Sequence, residues 1–93
     1  MNGITRFATG KIVATPGAVE AVDASGEGFG PFLARHCVGD WGEVSASDAR
    51  ANERALASGE RLLSVYRTAY GVKIWIITEA DRSVTTVLLP EDY

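Results

Sequence analysis

His36 is the single histidine of the chain and Cys37 the single cysteine. A histidine does acid–base work only with partners. The chain offers a set of them in Ser64, Tyr66, Arg82 and Thr85 or Thr86. In such a set His36 serves as general base or acid, Arg82 stabilises the charge of a phosphorane, and Ser64 or Thr86 holds the phosphate. Tyr66 and Trp75 are ring types on which bases stack. Together these residues describe metal-independent cleavage of RNA by attack of its own 2′-OH. The competing reading is a histidine that is merely structural or exposed. Cys37 is no dyad partner, because helical neighbours point about 100° apart. Asp40, four residues after His36, is placed to orient it.

A second set points to binding without catalysis. Asp40, Trp41, Tyr66, Trp75 and Arg82 belong to or flank the residue types that dominate interface hot spots. Asp40, Glu43 and Asp48 add acidic groups suited to a basic groove on a protein partner. Trp41 stands between Gly39-Asp40 and Gly42. It is either a hydrophobic plug that docks its loop on the core or an exposed platform.

Other chemistries lack residues. One Cys and one His allow neither an intramolecular disulfide nor a zinc site. The glycines of SGEGFG (Gly26, Gly28, Gly30) have no dinucleotide or Walker spacing, so a plain connector is expected there. No metal and no cofactor is expected. The net charge of −3 disfavours nucleic acid as a partner without excluding it. Seven of the nine basic residues are Arg, which suits bidentate or stacked contacts. The start, MNGITRFATGKIV, lacks an apolar leader and no apolar run is long enough to span a bilayer, so a cytoplasmic protein with no membrane partner is expected.

The elements that must position these residues follow from caps and periodicity. At 93 residues, 46% hydrophobic and 23% charged, residues 1–93 form one ordinary globular domain with a modest core. Thr15-Pro16 opens a helix to about Ala24, with Thr15 as N-cap and Pro16 in the first turn. Pro31 opens a second, PFLARHCV, closed by Gly39. Ser45 or Ser47 caps a third that Gly59 ends, with Ala49, Asn52, Ala55 and Leu56 as a thin stripe. Then RLLSVYR, VKIWIIT and SVTTVLL read as three strands separated by turn-like clusters. The expected fold class is α+β: two to three short N-terminal helices on one face of a three-stranded antiparallel meander, with Lys11–Ala14 as an optional extra strand.

Four-residue loops at Ala69–Val72 and Glu79–Arg82 pair Thr68 with Lys73 and Thr78 with Ser83. This register places Leu63, Val65, Ile74, Ile76, Thr78, Thr85, Val87 and Leu89 on the core face. It places Ser64, Tyr66, Trp75 and Thr86 on the other face, which is too apolar to be merely solvated. A homodimer seam is one use for that face.

Several strings, among them FLARH, GDWG, RLLSVY and WIITEADRS, with KIVATPGA before them and TTVLLP after, resemble a family of small proteins of bacterial plasmids, phages and other mobile elements. Its members carry labels such as "plasmid-related protein" or type I restriction subunit. The second label does not suit a chain far too short for a methyltransferase cofactor domain. The resemblance implies an accessory protein of a mobile element. Two functions stay open on these readings. The first is a non-enzymatic protein that binds a protein partner, of the anti-CRISPR or anti-restriction kind. The second is an endoribonuclease, by analogy of layout with the barnase, EndoU and RelE types. The acidic charge, the single histidine and the three strands count against the second.

Overall fold

The computed structural model describes residues 4–93, so the first three residues of the stretch read above for a leader lie outside it. The elements run β1 (Lys11–Ala14), α1 (Pro16–Ser25), α2 (Gly30–Cys37), α3 (Ala46–Ser58), β2 (Leu62–Arg67), β3 (Lys73–Thr78) and β4 (Val84–Leu88), followed by a 3-10 turn at Pro90–Asp92. The caps act as their residue types require. The Thr15 hydroxyl accepts from the Ala18 amide at 3.2 Å, and the Ser45 hydroxyl from the Asp48 amide at 3.0 Å. Gly26 and Gly59 end α1 and α3 in the left-handed conformation.

The sheet is four-stranded and mixed, in the order β1-β4-β3-β2. The expected meander is therefore three-quarters of it. Lys11–Ala14 is a true strand and joins the far side of β4 in parallel. A parallel neighbour needs a long crossover, and here everything from α1 to β3 lies between the two strands.

The register differs from expectation at both hairpins, with different consequences. Between β2 and β3 the Thr68 amide donates to the Val72 carbonyl at 2.9 Å, which leaves a three-residue loop of Ala69, Tyr70 and Gly71. Gly71, at φ 81°, takes the left-handed position that such a loop needs. The strands thus pair Arg67 with Lys73 and Ser64 with Ile76, one residue from the expected register. A one-residue slip exchanges the faces of β2. Between β3 and β4 the loop is Ala80–Ser83, and Thr78 pairs with Thr85 rather than Ser83. That two-residue shift leaves the faces of β4 unchanged.

Leu62, Ser64, Tyr66, Ile74, Ile76, Thr78, Thr85 and Val87 consequently share the core face, and all are buried. Ala18 and Val22 of α1 and Phe32 of α2 pack there against Tyr66, Ile74, Ile76 and Val87. A second cluster joins Trp41, Ala55 and Leu62, with Phe7, Val44, Ala49 and Leu56 against it. Fully burying side chains of this size contributes about 1.5–3 kcal/mol each. Neither cluster includes a residue from the opposite face of the sheet.

Candidate binding face and the buried histidine

His36 is fully buried. Its Nδ1 lies 2.5 Å from Ser64 Oγ, and its Nε2 lies 2.9 Å from Thr78 Oγ1. Thr78 Oγ1 lies 2.7 Å from Thr85 Oγ1, which donates to the Thr9 carbonyl at 2.8 Å. The direction of every proton follows from that last bond. A carbonyl can only accept, so Thr85 spends its one hydrogen there. Thr78 must then donate to Thr85, and the imidazole must donate through Nε2–H to Thr78. Nδ1 is left as an acceptor, filled by the Ser64 hydroxyl. One tautomer of a neutral ring satisfies the whole chain. Burial is the cause that lowers the His36 pKa to about 4, consistent with a ring that stays uncharged.

Ser64 and His36 thus meet as nucleophilic dyads do, but neither reaches solvent. Thr86, expected beside Ser64, is on the opposite face of the sheet. Arg82 is occupied elsewhere. Its guanidinium donates to the carbonyls of Ala55 at 3.1 Å, Glu60 at 2.7 Å and Glu79 at 3.1 Å. It thereby fastens the C-terminal end of α3 to the β3–β4 turn. These bonds help hold Arg82 itself at φ 61°, a conformation that costs a non-glycine residue roughly 1–2 kcal/mol. The four residues of the cleavage reading do not share an accessible site.

The binding set also divides. Trp41 is a plug: it is 6% exposed, lies 6.2 Å from Phe7 in a stack, and donates from Nε1 to Glu53 Oε2 at 3.0 Å. Arg6 grips the same Glu53 carboxylate at 2.8 and 3.1 Å and is the main cause holding its pKa down. Asp40 pairs with Arg35 at 2.7 Å, which lowers its pKa, and its carbonyl accepts from the Tyr66 hydroxyl at 2.5 Å. Tyr66 lies on the core face and not beside Trp75 as expected; burial, the largest cause, pushes its phenol up to about 12. Glu43 pairs with Arg67 at 2.9 Å, so two members of the expected acidic patch are neutralised locally.

Trp75 alone of this set stands on the opposite face, which no helix-built cluster reaches. By register its lateral neighbours there are Val65 and Leu88. Leu63, Val84 and Thr86 continue that face part-exposed, whereas Val65, Ile77 and Leu88 are buried within it. The half-buried Trp75 meets the C-terminal Tyr93 edge-on, with ring centres 5.6 Å apart. Arg61 steadies that tyrosine by donating to its hydroxyl at 2.9 Å. Lys73 and Arg67 stand opposite one another at one end of the face.

Sequence reasoning passed over Phe7, whose ring lies edge-on to His36 at 5.1 Å, and the role of Asn52. The signal for Asn52 was present as one amide within an otherwise apolar helical stripe. Two threonines on the core face likewise implied a buried polar partner, and the single histidine was available for it.

No protein-family model, curated protein or solved structure matches the chain. Among the described residues there is no His/Cys/Asp/Glu group able to hold a metal ion, and no helix is long and apolar enough to cross a membrane.

Proposed function

We propose that the chain is a non-enzymatic binding protein that presents the helix-free face of its sheet, centred on Trp75, to a protein partner. The observation that carries this reading is the allocation of side chains. His36, Ser64, Asp40, Trp41, Tyr66 and Arg82 are spent on internal contacts, whereas Trp75 lies part-exposed on the sheet face outside both helix-packed clusters, where its ring meets Tyr93. A part-exposed tryptophan seated on buried Val65, Ile77 and Leu88 is the residue type that anchors interface centres. Lys73, at one end of the face and in no ion pair among the described residues, favours a partner patch with an acidic rim, Arg67 beside it being already paired with Glu43. With the resemblance noted above, the fuller reading is an accessory protein of a mobile element that inhibits a host defence component by covering its surface.

The test is capture from a bacterial host lysate by wild type, Trp75→Ala and Tyr70→Ala, the last altering an exposed hairpin tip. A stoichiometric protein partner is expected with wild type and Tyr70→Ala. Its recovery falls by at least about tenfold with Trp75→Ala. Equal recovery with Trp75→Ala would overturn the assignment of the face. Chelator-insensitive RNA cleavage that disappears in His36→Ala would replace the reading with the ribonuclease one.

A further inference from the structure

The β1 edge of the sheet is unsealed. The Lys11 amide donates to the Ser83 carbonyl and the Thr15 amide to the Val87 carbonyl, both at 3.0 Å. Residues 11, 13 and 15 therefore turn their backbone groups toward β4. Ile12 and Ala14 turn theirs outward. All four residues of β1 are exposed, Ile12 by 49% and Val13 by 37%. The neighbouring flank of α1 continues the apolar surface: Ala14, Pro16, Val19 and Ala24, with Glu20 and Asp23 at its rim, line an open groove. Short edge strands and edge lysines commonly discourage pairing. Here the strand carries exposed Ile and Val, and its lysine has a specific use.

From this geometry we propose that a second copy of the chain occupies this edge, with β1 pairing antiparallel to its own mate about a two-fold axis at Val13. This inference goes beyond the Trp75 reading and uses a different surface. The register is the one that employs both outward-turned residues. Ile12 and the mate's Ala14 exchange two backbone hydrogen bonds, and the symmetric pair exchanges two more. Centring on Ile12 instead would bring Ala14 against Gly10, whose φ of 63° is no strand conformation.

Side chains agree with the Val13 register. Ile12 shares the helix-covered side with Thr85 and Val87. Opposite the small Ala14 of the mate, it fills the groove beside Pro16 and Val19. Val13 meets Val13 on the helix-free side, in the closer, non-hydrogen-bonded type of pair. Lys11 falls opposite the mate's Thr15, whose hydroxyl donates to Asp92 Oδ2 at 2.6 Å. The ammonium of Lys11 makes no ion pair among the described residues, and this arrangement supplies it with the Asp92 carboxylate twice over. A two-fold axis normal to the sheet keeps both Trp75 faces on one side of an eight-stranded sheet, so the dimer presents a bivalent surface.

Light scattering with sedimentation velocity on the full chain, across a concentration series, tests the proposal. Wild type and Trp75→Ala are expected to be dimers. Val13→Asp sets two carboxylates on the axis and is expected to be a monomer with unchanged circular dichroism. Lys11→Glu weakens the dimer roughly two- to fivefold. In a Cys37→Ser background, Val13→Cys crosslinks to itself on oxidation because the paired Cα atoms sit about 4.5 Å apart, within disulfide range. Ile12→Cys does not. The crosslink decides the matter if Val13→Asp fails to fold. A monomeric wild type, dissociation by Trp75→Ala, or crosslinking of Ile12→Cys in preference to Val13→Cys overturns the proposal. Because Trp75→Ala is expected to cut capture at least about tenfold while keeping the dimer, failures of the two readings are told apart.

Discussion

The two edges of the sheet are finished in opposite ways. Along β2 the outward backbone groups of two successive positions have protein partners. The Asn52 side chain donates to the Leu63 carbonyl at 2.7 Å and accepts from its amide at 3.1 Å. Two residues on, the Val65 amide donates to the Trp41 carbonyl at 3.0 Å, and its carbonyl accepts from the Glu43 amide at 2.7 Å. The side chain of α3 and the loop around Gly42 together stand in for a fifth strand. Along β1 no such device exists among the described residues, and the strand carries exposed isoleucine and valine instead. A chain that seals one edge so thoroughly has the means to seal both. In the dimer proposed above, β1 is the edge left for association and β2 the edge closed against it.

The comparison breaks first at Gly42. Its φ is 75°, and an added Cβ would stand 2.0 Å from the Val65 carbonyl oxygen. Gly42→Ala is expected to lose more than about 3 kcal/mol in urea unfolding. A loss under about 1 kcal/mol would show that the loop does not seal β2.

The histidine network comes next, because it ties β2, β3, β4 and the segment before β1 together. The ring's pKa is lowered from 6.5 to about 4 on folding, so the unfolded chain binds the proton more readily. Stability is complete above pH 6.5 and falls as pH drops toward 4, by about 3 kcal/mol across that window. Unfolding free energies at pH 7 and pH 5 check the sign, and equal values would refute the neutral, buried ring.

Asn52→Leu retains bulk but removes both bonds to Leu63, and about 1–3 kcal/mol should go with them. At the other edge, Val13→Thr is expected to change the stability of the monomer by no more than about 0.5 kcal/mol. Amide exchange gives the finest reading. In dilute, monomeric protein Ile12 and Ala14 exchange fast while Leu63 and Val65 are protected. Raising the concentration should slow Ile12 and Ala14 alone.

Much of this architecture was legible in the chain because local rules governed it. Thr15-Pro16, Ser45 and Gly59 fixed helix ends through capping, and alternation marked three strands. Trp41 behaved as the plug that a tryptophan between glycines suggests. What escaped was set by a single backbone conformation or by distant partners. Gly71 shortens one loop by a residue, and that exchange of faces moved Ser64 and Tyr66 from the expected site into the core. The parallel seat of β1 depends on packing across a crossover of some 70 residues, which leaves no periodic trace between Ala14 and Val84. Arg82 looked like a free cation because nothing local showed that the carbonyls of Ala55 and Glu60 would surround it. Trp75 kept its expected face because the shift between β3 and β4 was an even one.

The sealed imidazole has a practical consequence. Since the chain holds one histidine, every ring signal in a spectrum and every acylated imidazole on a mass map belongs to His36. A reagent can reach that ring only when α2 lifts from Ser64 and Thr78. The rate of its labelling therefore counts openings of the native protein, one residue serving as the clock for the whole interior.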